Sequence, residues 1–249
     1  TNSQSTVKPR DLRSNDKKVL ALKKAFEQRY PDGAFLSKRG EVAPAGKDKN
    51  KVVDLSGLGK NLMAWHSQRP NIAYSETKIF DKYFEQLFKR DYSPEKVQAL
   101  QEWMALVDSR WTKDNPLGFN ETLLAMRSYA PFHHLFAISL YFSVASKRPD
   151  RVPAPDVALQ RARERGIADW VVTFAGKALN MALQNAASEV LPENRVFSPN
   201  NWMKAKSSLT GITNVIQTQL TMLPEMGAKD QCEALILDGE AFEYRWQAD

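Results

Sequence analysis

Few residues in this chain have the type and spacing that chemistry needs. His133 and His134 form the only histidine pair. Neighbouring positions on a helix point about 100° apart, so the two make a poor pair of metal ligands. They follow Pro131 in the most apolar stretch of the chain, and the expectation is a hydrogen-bonded core histidine beside a helix break. His66 follows Trp65 at an expected helix end, where the helix terminus would favour it. Cys232, the only cysteine, has Lys229 as its one nearby basic residue, a weak setting for a nucleophile. Lys38 and Arg39 beside Glu41 have the residue types of a nuclease site, but no companion acid lies on an obvious strand. Asp81 and Glu85 share a helix face, as many solvated carboxylates do. Phosphate-binding glycine loops, C-x-x-C pairs, H-E-x-x-H and G-x-S-x-G elbows do not occur in the sequence. No metal site and no cofactor are expected, and no reaction is defined by this chain alone.

The densest set of polar side chains is the opening run Thr1-Asn-Ser-Gln-Ser-Thr-Val-Lys-Pro-Arg-Asp-Leu-Arg-Ser-Asn-Asp16. Asn2, Gln4, Arg10, Asp11, Arg13 and Asn15 supply many hydrogen-bond groups just before an amphipathic helix. Such groups brace a turn or face a ligand. Asn2, Gln4, Asp11 and Asn15 are the expected bracing positions, with Arg10 and Arg13 partly exposed. A chain that opens this way reads as a piece of a longer protein.

Charge is uneven. Residues 1–60 hold 14 Lys/Arg and 7 Asp/Glu, a net +7, while the remaining 21 and 22 leave −1. Lys17, Lys18, Lys23, Lys24, Lys38 and Arg39 are therefore the candidate phosphate contacts, giving affinity without sequence reading. The plain alternative is a set of solvated helix faces and a lysine-rich loop. The six tryptophans fall mostly within or beside apolar stripes, which marks them as core rather than as stacking platforms.

Composition places these residues in an ordinary globular chain of 249 residues, with 43% hydrophobic and 26% charged side chains. The single cysteine fits a reducing, cytoplasmic setting. The best apolar run, 129–145, is interrupted by Pro131 and two histidines and falls short of the about 20 residues a bilayer asks for, so no membrane contact is expected.

The periodicity predicts an all-α fold. Ser14 or Asn15 caps a helix to Tyr30, and residues 34–42 form a short extended segment. Asp54 or Ser56 starts a helix through His66, and Ser75 one to about Lys89. Ser93-Pro94-Glu95 opens another to about Trp111. Asn120 caps a segment, 121–145, that is apolar on every face and bent or split at Pro131, as befits the centre of a bundle. The prolines of 147–155 suggest an extended connector between a helical region, 1–146, and a C-terminal bundle, 156–249. Helices follow over 156–165, 167–189, 200–223 and 231–246.

Three segments carry a resemblance. Thr1-Asn2-Ser3-Gln4 with Val7, Arg10-Asp11-Leu12 and Asn15-Asp16 is similar to the T-N-x-Q-x-x-V, D-L and N-D run in the middle of bacterial AIPR proteins, named for abortive-infection phage resistance. Ser37-Lys38-Arg39-Gly40-Glu41 resembles that family's K-R-G-E step. Gly59 to Trp65, followed by Arg69-Pro70, resembles its helix ending in Trp and a short turn to Pro. The resemblance covers about the first third of the chain. It implies an antiviral defence setting and the C-terminal portion of a protein with a further region upstream. The function expected on this basis is weak, sequence-tolerant nucleic-acid association. The alternatives are a scaffold that docks the upstream region or a defence-system subunit, and part of a nuclease-like enzyme whose site lies mainly upstream.

Overall fold

The computed structural model describes residues 7–114, 116–119, 121–189 and 196–247. The fold is mostly helical. In chain order the elements are α1 (Pro9–Arg13), α2 (Lys17–Arg29), β1 (Ala34–Leu36), β2 (Val52–Asp54), α3 (Leu55–Trp65), α4 (Pro70–Ala73), α5 (Glu76–Asp81), α6 (Phe84–Phe88), α7 (Pro94–Asp108), α8 (Glu121–Ala125), α9 (Ala130–Ala145), β3 (Arg151–Pro153), α10 (Pro155–Glu164), α11 (Ala168–Ser188), α12 (Pro199–Lys204), α13 (Lys206–Met222), α14 (Lys229–Ala234) and β4 (Phe242–Tyr244).

Helix starts follow the capping chemistry. Asp54 Oδ2 accepts from the Gly57 amide at 2.9 Å and begins α3. Ser93 Oγ accepts from Lys96 N, with Pro94 in the first turn of α7 where its missing N–H costs nothing. Asp16, rather than Ser14 or Asn15, caps α2; its side chain accepts from Lys18 N at 2.8 Å. Ser75 caps α5, but the helix expected to reach Lys89 breaks at Lys82 and Tyr83 before α6 begins. The extended segment expected at 34–42 is ordered as a strand only at Ala34–Leu36, which pairs in parallel with β2 and buries Phe35 against Val53.

The centre is α9. All but three of its residues are buried, and they face α3, α7, α11 and α13 on different sides. A helix with no wet face must satisfy its polar side chains internally. His134 Nδ1 accepts from the Trp111 indole N–H at 3.2 Å, and its Nε2–H donates to the Val172 carbonyl at 2.6 Å. His133 Nδ1 donates to the Tyr129 carbonyl at 3.2 Å. Ser139 and Ser143 hydroxyls donate back to helix carbonyls. Helix α11 crosses α9 closely at Gly176, where a Cβ would come within 3.1 Å of His134 Cε1 and 2.5 Å of Leu117 Cδ1.

Pro131 does not bend a single helix over 121–145. The segment is split: α8 stops at Ala125, a turn follows, and α9 begins at Ala130 with Pro131 in its first turn. Only the second part is uniformly buried; Glu121, Thr122, Ala125, Arg127 and Ser128 are exposed.

The segment 147–155 is not a free spacer. Arg151–Pro153 forms β3, antiparallel to β4, with Val152 fully buried. The indoles of Trp65 and Trp103, stacked at 6.0 Å, donate to the carbonyls of Pro153 at 2.8 Å and Pro155 at 3.1 Å. Prolines lack an amide but keep the acceptor, so two tryptophans from α3 and α7 hold the backbone on which β3 and α10 are built. One hydrophobic cluster runs from Val19 to Trp246 through residues on both sides of this segment. The helix expected over 200–223 divides at Ala205 into α12 and α13. The last helix expected, 231–246, is replaced after α14 by a 3-10 turn at Gly239–Ala241 and β4, because Phe242–Tyr244 meets Arg151–Pro153.

Burial lowers the pKa of His133 and of His134 from 6.5 to about 4. Both are therefore neutral in the fold, and the unfolded chain binds more protons between those values. Stability should be at its full value above pH 6.5 and fall as pH drops toward 4, by on the order of 3 kcal/mol per histidine. Denaturant unfolding at pH 7, 6 and 5 checks this; equal stability at pH 7 and pH 5 would be the contrary result.

Candidate nucleic-acid interface

The described part of the opening motif is anchored by Arg10, which is buried rather than partly exposed. Its guanidinium meets Asp54 Oδ1 at 2.5 Å, so one carboxylate both caps α3 and holds α1. Arg13 donates to the Phe80 carbonyl and lies 4.6 Å above the Phe84 ring. Asp11 Oδ2 accepts from the Lys8 amide at 3.1 Å and from Arg39 at 2.8 Å. Arg10, Asp11 and Arg13 thus fasten α1 to the fold, whereas Asn15 is exposed. Asn2 and Gln4 lie outside the described residues.

The Lys38-Arg39-Gly40-Glu41 step is a turn. Gly40 sits at φ 73°, which favours glycine, and Glu41 Oε2 accepts from the amides of Ser37 at 2.8 Å and Lys38 at 3.0 Å. Burial pushes the Glu41 carboxyl up, but the Lys38 amide and the Lys23 ammonium outweigh it and hold it below its ordinary value. This glutamate is already bonded on both oxygens, which is a structural role and not that of a nuclease acid.

The six candidate cations do not form one free surface. Lys18 pairs with Asp91 at 2.6 Å, Lys23 with Glu41 at 2.9 Å, and Arg39 with Asp11 at 2.8 Å. Lys17, Lys24 and Lys38 are exposed and enter no ion pair among the described residues. Lys17 and Lys24 are seven positions apart on α2, two turns along the same face. Arg13 and Arg29 likewise reach acids outside the first quarter, Glu85 and Glu95.

The other chemistry-bearing residues are enclosed. His66 is fully buried, stacked on Trp246 at 4.2 Å, with Nε2 2.7 Å from the Tyr92 hydroxyl. Burial, then the charges of Lys96 and Arg90, lower its pKa well below the ordinary value, so it does not offer a charge to the end of α3 as expected. Burial raises the pKa of the Cys232 thiol. Of the tryptophans, only Trp170 is half-exposed; the rest are buried, including Trp246, which no apolar stripe had marked.

A second collection of cations lies at a cleft of about 440 Å³ between α3, α7 and the turn before α9. Tyr74 and Tyr129 meet edge to face at 5.0 Å, and Lys204 Nζ stands 5.2 Å from both rings. Lys60 and Arg127 line the cleft, with Asp108 as its one carboxylate; Lys204 is not in the lining but stands against two of the rings that are. No periodicity or motif links these residues, because they come from several separate elements, with only Arg127 and Tyr129 sharing a turn. Among the described residues no helix is long and apolar enough to cross a membrane, and no group of three or more His, Cys, Asp or Glu could hold a metal ion. Compared with protein-family models, curated proteins and solved structures, the chain matches none.

Removing the Arg10 anchor should cost far more than removing a neighbouring polar group. Arg10→Ala is expected to lower stability by about 1–3 kcal/mol, since it breaks a charged bond and strips Asp54 of its partner. Asn15→Ala should stay within about 0.5 kcal/mol. Urea titration of both variants is the check, and equal effects would contradict the anchoring role.

Proposed function

We propose that this chain is the helical C-terminal portion of an AIPR-like anti-phage defence protein and that it associates weakly with nucleic acid through its N-terminal quarter. The observation that carries the reading is the concentration of the positive charge, +7 in the first 60 residues, together with the exposed ammonium groups of Lys17, Lys24 and Lys38, which enter no ion pair among the described residues. Contacts of this kind go to phosphates and read no sequence. The motif resemblance supplies the defence setting, and the single cysteine fits a reducing, cytoplasmic one.

A second reading is favoured by a specific observation: Lys18, Lys23 and Arg39 are neutralised by acids, which leaves a smaller basic surface than the composition suggests. On that reading the chain is a scaffold that docks the region AIPR proteins carry upstream of the T-N-x-Q run, or a defence-system subunit.

Anisotropy titrations at low salt with two unrelated oligonucleotides separate the readings. Binding is expected to be similar for both and to weaken steeply as salt rises. Lys17→Gln, Lys24→Gln and Lys38→Gln together should reduce the slope of log K against log salt by roughly 2–3. Lys18→Gln with Lys23→Gln should have the smaller effect. No binding by the unaltered chain would remove this function and leave the scaffold.

A further inference from the structure

The N-terminal quarter holds most of its cations in pairs with acids, whereas the cleft beside Tyr129 does the opposite. Lys60, Arg127 and Lys204 enter no ion pair among the described residues, and Lys204 faces aromatic rings instead of a carboxylate. Tyr74, Tyr129 and Phe132 are half-buried there, so ring surface is open to the cleft. The 16-residue helix α9 begins at its wall, with Pro131 and Phe132 in the lining. The volume, about 440 Å³, lies within the about 300–1,000 Å³ of small-molecule sites.

Rings and cations at one mouth suit a ligand with a planar face and negative charge. A planar base stacks on tyrosine or phenylalanine whatever its sequence, and a phosphate meets lysine and arginine. A bare anion would leave the aromatic wall unused, and a neutral aromatic would leave Lys60 and Arg127 with Asp108 as the one carboxylate in the cleft. Asp108 provides an acceptor for an exocyclic amino group.

We infer that the cleft lined by Lys60, Tyr74, Arg127, Tyr129 and Phe132 binds a phosphate-bearing nucleobase. Two sources carry that chemistry: a free nucleotide and an unpaired base of a single strand. Where the source is a strand, the inference rests on the nucleic-acid reading above; where it is a free nucleotide, it stands without it.

The test uses the full chain and titrates AMP, adenosine, inorganic phosphate and a single-stranded oligonucleotide by calorimetry. AMP should bind more tightly than adenosine or phosphate. Tyr129→Ala should weaken AMP by roughly tenfold, and Tyr129→Phe should restore it. Arg127→Gln, a substitution at an exposed position that leaves the core intact, should also weaken AMP while the melting temperature stays unchanged. If the source is a strand, the oligonucleotide should lose affinity in the same cleft variants. If it is a free nucleotide, only AMP should respond. AMP that does not bind, binds no better than phosphate, or binds equally to all three variants overturns the inference. An oligonucleotide sensitive to Lys17→Gln and Lys24→Gln but not to the cleft variants, with no AMP binding, overturns the cleft and leaves the nucleic-acid reading standing.

Discussion

The constraint on which the fold depends is a helix with no face for water. Helix α9 carries Leu135, Phe136, Ile138, Leu140, Tyr141 and Phe142 around its whole circumference, all buried. A side chain of this size contributes about 1.5–3 kcal/mol when removed from water, so each face of α9 needs a cover. Helices α3, α7, α11 and α13 supply those covers. The polar groups that α9 does carry then become fixed points. His134 ties the helix to Trp111 on one side and to the Val172 carbonyl of α11 on the other. Loss of either partner would leave a buried donor or acceptor unpaired, at about 1–3 kcal/mol.

A second consequence is the use of prolines as acceptors. Lys147 to Asp150 are exposed, but residues 152–155 are buried, and the carbonyls of Pro153, Pro155 and Arg151 are taken by Trp65, Trp103 and the Ser143 hydroxyl. Pairing with β4 then brings the C-terminal residues across to α3. The Trp246 amide donates to the His66 carbonyl, and its ring stacks on the His66 imidazole. The Lys96 ammonium and Glu243 carboxylate form an ion pair beside them. The end of the chain is in this way fastened to elements formed early in it.

What could be read in the sequence was local. Asp54, Ser93 and Pro94 marked helix starts because capping depends on residues three positions away. The apolarity of 121–145 marked the centre, although only Ala130–Ala145 forms the buried helix. What could not be read was the identity of distant partners. The Pro-rich segment 147–155 looked like a connector since the strand partner of its Arg151–Pro153 lies some ninety residues later, at Phe242–Tyr244. Residues 242–246 looked helical for the same reason. The candidate interface suffered most. Counting charge by position in the chain placed seven excess cations in the first quarter, but Asp91, Glu85 and Glu95 from outside it pair with Lys18, Arg13 and Arg29. The cleft residues Lys60, Tyr74, Arg127, Tyr129 and Phe132 are scattered between positions 60 and 132 and carry no shared pattern.

The claim beneath this account is that α9 is the common core of residues on both sides of the Pro-rich segment. Native-state hydrogen exchange measures it directly, because amides released only by global unfolding exchange at the rate set by overall stability. The amides of Leu135 to Phe142 should be the slowest in the chain. Amides of α3 and α11 should converge with them on the same opening free energy as denaturant is added. Exchange of α11 and α13 through an opening that leaves α3 and α7 protected, or rapid exchange within α9 itself, would contradict it.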